Sequence, residues 1–303
     1  MSSTSPQGAP AIQVADLSRF YAAQPALRHV SFSIASGERV AILGRNGAGK
    51  TTLLRILAGV LDPSAGQVRV AAATPSDDDP SWRSRLGFLP DRPPLHDDMS
   101  VAAYLEYVAE LRGAPRNAAR RVVERCELEE CAHRRIGALS HGFRQRVGLA
   151  QALVHEPPVL LLDEPAAGLD PAQMAALRSL LQSLELTLVL SSHLLSEVAR
   201  IATRYLVLEG GRLVKDFATG AEDPRVRLRV AAAPGVTPPR RILVGLVGME
   251  GFEAIDEETF RIDASDRAAV CRALLAAGHE LLALDRPTST LSELEALFSE
   301  VAG

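Results

Sequence analysis

The sequence predicts an α/β protein in two parts: a sheet domain with helices on its faces and a helical insert, followed by a small α+β domain. Three observations predict this. Strand-like and helix-like patterns alternate through the first 220 residues, the mark of a parallel sheet covered on both sides. From about residue 92 to residue 155 the apolar positions instead recur at three and four, which reads as a helical insert. From Val226 the strand and helix patterns start again. A length of 303 residues has room for one large and one smaller domain. The expected division is a flexible tail over 1–10, the sheet domain over 11–220 and the accessory domain over 225–303.

Taken in order, Val40 to Leu43 is a short apolar run that stops at a glycine-rich segment, and Thr52 to Val60 then carries Leu53, Leu54, Ile56 and Leu57 at helical spacing. Further buried strands are expected at Val159 to Leu162 and Leu186 to Leu190, apolar runs broken only by Thr187, of the kind that parallel strands need. All three runs end in polar residues. Ligands of open α/β sheets lie beyond the carboxyl ends of their strands, so those endings should meet at one site. In the insert, Tyr104, Leu105, Val108 and Leu111 mark the first helix, with Ser100 as its N-cap and Gly113 and Pro115 as its stop. The acidic stretch Asp77-Asp78-Asp79-Pro80 reads as a solvated turn. Leu206 to Leu208, Gly210-Gly211 and Leu213-Val214 read as a hairpin.

The accessory domain reads as strand (Val226 to Val230), helix (Arg240 to Val247), strand (Phe252 to Ile255), strand (Thr259 to Ile262), helix (Arg267 to Ala277) and strand (Glu280 to Leu284). That is the order of a split βαβ, ferredoxin-like domain. An amphipathic segment from Leu291 to Val301 is expected to pack back onto one of the domains.

Composition narrows the function classes. Apolar residues make up 47% and charged residues 23%, as in a globular chain that buries a full core. The formal charge is −4 with cations scattered among anions, so no nucleic-acid partner is expected. Cys126, Cys131 and Cys271 show neither a CxxC spacing nor a histidine-rich companion cluster, which argues against a zinc site or disulfide framework and for a reducing cytoplasm. No signal peptide and no run of about 18 apolar residues is present, so the chain is not expected to cross a bilayer.

Gly44-Arg45-Asn46-Gly47-Ala48-Gly49-Lys50-Thr51 fits G-x-x-x-x-G-K-[ST] and lies between a predicted strand and a predicted helix. Its glycines let backbone N–H groups curl around phosphate oxygens, and the helix that follows, with Thr52 in its first turn, aims its positive end at the same place. Lys50 is placed to reach the β- and γ-phosphates and Thr51 to ligate magnesium. Asp163 and Glu164 follow the second apolar strand. Asp163 is expected to hold Mg²⁺ through water, and Glu164 to polarise an attacking water. His193 ends the third strand, where it can hydrogen-bond the γ-phosphate and orient that water.

These residues resemble the ATP-binding cassette (ABC) ATPases, over about Ile12 to Val214. Besides the phosphate loop of a P-loop NTPase and Leu160-Leu161-Leu162-Asp163-Glu164-Pro165, the resemblance rests on Leu139-Ser140-His141-Gly142-Phe143 ahead of that strand. The family pattern is LSGGQ, so Ser140 and Gly142 match while His141 and Phe143 depart. The resemblance implies that Ser140 and Gly142 cover the γ-phosphate held by a second copy of the subunit. It also implies that Asp170, in Ala167-Gly168-Leu169-Asp170-Pro171, belongs to the loop linking the two sites. Tyr21 resembles the aromatic residue that stacks on adenine, with Phe20 as its rival. Asp91 stands where the family has a glutamine that senses magnesium and touches the membrane partner, and it looks like the exporter-type subgroup with separate permease subunits.

The implied function is an ATP-binding and ATP-hydrolysing transporter subunit, using ATP and Mg²⁺ and dimerising as it energises a transmembrane permease from the cytoplasmic face of the membrane. The alternative is a soluble, non-transport ABC ATPase, for example of the iron–sulfur cluster assembly type. Against it, such proteins usually lack a trailing domain like this one.

Overall fold

The computed structural model describes residues 10–22, 24–75, 80–193, 198, 201–218, 225–248, 251–256, 258–263 and 266–285. The expected N-terminal tail up to residue 9, the acidic turn at Asp77 to Asp79 and the last amphipathic segment fall outside the described residues. The chain divides into two compact units, Met1–Ala218 and Thr219–Gly303.

The first unit opens on two long antiparallel strands, β1 (Ile12–Tyr21) and β2 (Gln24–Ile34). Val30, Phe32 and Ile34 of β2 are buried while His29, Ser31 and Ser33 between them are exposed, the alternation of a sheet with one covered face. Next come β3 (Arg39–Leu43) and α1 (Lys50–Leu57), then β4 (Ala65–Val70), which pairs antiparallel with β1. Besides the expected parallel sheet, a separate three-stranded antiparallel sheet, ordered β2-β1-β4, forms. Bulges at three places along the β1–β2 register break the alternation in β1, which is why that strand carries a weak pattern.

The remaining elements are β5 (Leu86–Leu89), three helices of the insert, α2 (Val101–Leu111), α3 (Ala118–Arg125) and α4 (His141–Leu153), then β6 (Val159–Leu162), α5 (Pro171–Ser183), β7 (Thr187–Ser192), β8 (Arg204–Glu209) and β9 (Arg212–Ala218). The second sheet runs β5-β6-β7-β3-β8-β9. It is parallel from β5 to β8, and only β9 at the edge is antiparallel, returned from β8 by Gly210 and Gly211, both at positive φ. Ser100 caps α2, accepting a bond from the Ala103 amide at 3.3 Å. The core joins the inner face of the antiparallel sheet, α1 and the parallel sheet through residues such as Ile34, Leu53, Leu57, Ile42 and Leu161. At eight residues α1 is too short to persist alone in water. Complete burial of Leu53, Leu54 and Leu57, worth about 1.5–3 kcal/mol each, holds it in place.

The second unit runs β10 (Arg225–Ala231), α6 (Pro239–Val247), β11 (Phe252–Ala254), β12 (Thr259–Asp263), α7 (Arg267–Ala276) and β13 (Glu280–Asp285). Its strands form one antiparallel sheet in the order β11-β12-β10-β13. Val226, Leu228 and Val230, alternating along β10, join Leu243 of α6 and Val270 and Leu274 of α7 in its core.

Candidate functional site

Parallel pairing sets the adjacent strands β6, β7 and β3 in register, with Leu43 opposite Ser192 and Leu162 opposite Leu190. Their carboxyl ends therefore open on one place. There the loop from Arg45 to Thr52 lines a cleft of about 390 Å³ together with Asp91, Glu164 and His193. Two backbone requirements explain the glycines that shape it. Gly49 has φ 105° and leads into α1, and a β-carbon on it would lie 2.6 Å from the Ala26 carbonyl oxygen. A β-carbon on Gly44 would lie 2.5 Å from the Leu208 carbonyl oxygen.

Lys50 is the buried cation of the cleft. Its Nζ donates to the Gly44 carbonyl at 2.8 Å and to that of Arg45 at 3.4 Å, and it pairs with Glu164 Oε1 at 3.2 Å. The other oxygen of Glu164, Oε2, lies 2.9 Å from His193 Nδ1, so each carboxylate oxygen has its own partner, Lys50 at the start of α1 and His193 just after β7. Glu164 itself has φ 48°, a left-handed conformation that costs a non-glycine residue on the order of 1 kcal/mol. Its amide donates to Ser191 Oγ at 2.9 Å, and its carbonyl accepts from the Ala167 amide at 3.1 Å, which fixes this turn.

Asp163 lies behind Glu164 and is fully buried. Its Oδ1 accepts from Ser191 Oγ at 2.8 Å and from Thr51 Oγ1 at 3.2 Å, while its Oδ2 is buried with no hydrogen-bond partner. Burial pushes the Asp163 carboxyl above the usual carboxylate range; the two hydroxyl donors act the other way, and the charges of Asp91 and Glu164 add to the rise. An orphaned carboxylate oxygen beside a threonine hydroxyl, with two further carboxylates close by, is a setting that a small, hard, oxygen-seeking cation stabilises. No group of three or more His, Cys, Asp or Glu side chains among the described residues is arranged to hold a metal alone. A cation here thus needs oxygens from a ligand or from water.

The other expected site residues lie off this cleft. Tyr21 is exposed at the end of β1, with the Arg19 guanidinium 5.1 Å over its ring. Phe20 is exposed beside it. Ser140 precedes α4 in extended geometry and leaves its hydroxyl out of any cap bond. Gly142 lies in the first turn of α4, against the Gln173 side chain. Asp170 caps α5, accepting from the amides of Ala172 and Gln173 at 2.9 Å each. Sequence reasoning missed Ser191, which ties Asp163 to the turn at Glu164. Its only signal was a polar residue at the end of an apolar strand, and the partner is 28 residues away.

Residues 27–167 match the ABC transporter family. Over 208 residues the chain is 34% identical to the uncharacterised ABC transporter ATP-binding protein YxlF of Bacillus subtilis (strain 168), covering 67% of this chain and 69% of that protein. It is 38% identical over 197 residues to Nod factor export ATP-binding protein I of Burkholderia pseudomallei (strain K96243), covering 62% of this chain and 64% of that one. Among solved structures, it resembles the dimeric post-hydrolysis state of the ATP-binding cassette MJ0796 bound to ADP and Pi, at 26% identity and a TM-score of 0.63 over 69% of this chain and 99% of that one. Phosphate loop, strand-end carboxylates and histidine thus share one cleft in a chain that belongs to the ABC transporter ATP-binding protein family and is an ATP-binding, ATP-hydrolysing transporter subunit.

Proposed function

We propose that the chain energises export through a separate transmembrane permease, two copies closing over ATP and Mg²⁺ at their shared face. The observation that carries this reading is the meeting of Lys50, Glu164 and His193 in one cleft while Ser140 and Gly142 of the same chain lie off it. A site with a phosphate grip, and a helix start whose anion-binding groups do not line it, is one that a second copy would complete. The dimeric form of the related cassette supports that pairing. The name of the export-linked relative supports direction, as does Asp91 in the loop after β5. No helix among the described residues is long and apolar enough to cross a membrane, and in this reading the path belongs to the permease, on whose cytoplasmic side the subunit docks.

In this reading the residues divide the work. Lys50 and the loop amides bind the β- and γ-phosphates, and the Lys50 ammonium offsets their charge. Thr51 and Asp163, with Asp91 nearby, fit the Mg²⁺ position, where the ion when bound neutralises phosphate charge. Glu164 takes the proton of the attacking water, and His193, bonded to Glu164, keeps that carboxylate aimed. Ser140, Gly142 and Asp170 act across the interface, and Tyr21 stacks on the adenine. The second unit, with its β-α-β-β-α-β order, is a ferredoxin-like accessory domain.

Replacing the base tests the reading. Glu164→Gln should keep ATP binding, lower hydrolysis by about 10²–10⁴-fold, and form ATP-dependent dimers in analytical ultracentrifugation. Hydrolysis at the parent rate would remove Glu164 from its role. Sedimentation that never departs from the monomer with ATP present would remove the shared site.

A further inference from the structure

His141 stands where the family pattern has glycine, and the structure gives its ring a partner. The imidazole Nε2 lies 3.0 Å from the carbonyl oxygen of Ala167, in the loop that follows Glu164. Gly168 lets the ring come this close: at φ 72° it carries no side chain, and a β-carbon there would lie 3.3 Å from the imidazole. One residue further into α4, Gly142 approaches the side chain of Gln173 so closely that a β-carbon would lie 2.6 Å from the amide nitrogen. Gln173 in turn accepts from the Asp170 amide through its Oε1 at 3.2 Å. The start of α4 is therefore seated on the whole turn from Ala167 to Gln173, and the His141 bond is its directional contact.

That turn reaches the cleft. The Ala167 amide donates to the Glu164 carbonyl at 3.1 Å, and Ala167 lines the cleft beside Glu164 and His193. A continuous line of bonds thus runs from the His141 ring to the Ala167 carbonyl, through that residue to the Glu164 backbone, and on to the carboxylate between Lys50 and His193. Glu164 sits in a strained backbone conformation that persists only while its surroundings hold it.

We propose that His141 is a positioning residue for ATP hydrolysis: by donating from Nε2 to the Ala167 carbonyl it locks the turn behind Glu164, and so aims the carboxylate from the first residue of the helical insert's last helix. This rests on the reading of Glu164 as the base. It assigns His141 an action within its own chain, separate from the nucleotide-covering role of Ser140 and Gly142. A carbonyl only accepts, so the ring must carry its proton on Nε2.

The test compares the full-length parent chain with His141→Ala, His141→Gly and His141→Gln in steady-state ATP hydrolysis, with Glu164→Gln as reference. Loss of one neutral hydrogen bond predicts that Ala and Gly lower kcat by about 3- to 10-fold, with KM for ATP within about twofold of the parent. Glutamine keeps an N–H donor and should bring kcat back to within about twofold of the parent. Nitrogen-15 spectra of the parent's histidines should show the His141 ring as the Nε2–H tautomer. An unchanged kcat in the alanine variant, an equal loss in the glutamine variant, a change confined to KM, or an Nδ1–H tautomer would each overturn the tether. If instead Glu164→Gln hydrolysed ATP at the parent rate, the reading of Glu164 would fail whatever the His141 variants did.

Discussion

Asp163 illustrates what burying a carboxylate without a full set of donors costs a protein. Its carboxyl is buried, one oxygen is without a donor, and the proton is held more tightly than usual. For an acid whose folded value is raised, the protonated form favours folding, so its contribution is full below the ordinary value of 3.8 and falls as pH climbs through the raised one. Asp163→Asn removes that titration. Thermal melts of nucleotide-free protein should show the variant gaining on the parent as pH rises above the ordinary value of 3.8, while magnesium-dependent hydrolysis is lost. A melting gap independent of pH would contradict the assignment of the shift to Asp163. The convergence of Lys50, Thr51, Glu164 and His193 on one cleft was legible in the sequence because each follows an apolar strand run. Ser191 and His141 were not legible as partners, because what they bind is brought close only by sheet order and by the seating of α4.

At the scale of elements, α5 is held at its start by one side chain. Asp170 was expected to act between copies of the chain, and within its own chain it forms a reciprocal cap: its carboxylate accepts from the Gln173 amide, and its own amide donates to the Gln173 side chain. Asp170→Ala should lower stability by about 1 kcal/mol, a fall in melting temperature of roughly 2–4 °C for a unit of this size. Differential scanning calorimetry checks it, and an unchanged melt would mean that the cap contributes nothing. The strands at the site were readable because β3, β6 and β7 each hold three or more consecutive apolar residues, as burial on both faces demands. The antiparallel sheet was not readable. Its strands carry no motif, and the bulges of β1 shift the alternation that would have announced it. The second unit's clean alternation, Val226, Leu228, Val230, made its first strand legible to within a residue at each end.

For the whole molecule, the chemistry is unevenly distributed. The unit that ends at Ala218 holds every residue placed at the cleft, and the second unit has a core of its own, built from its sheet and two helices. Within the first unit, Ser140 and Gly142 stand apart from the cleft that the phosphate loop lines. In the two-copy reading proposed above, turnover depends on how often two chains meet, not only on how much nucleotide surrounds each one. At saturating ATP, the activity per milligram of isolated subunit should climb with protein concentration and level off once encounters outpace separation. A flat response down to the lowest measurable dilution would mean that each molecule works alone.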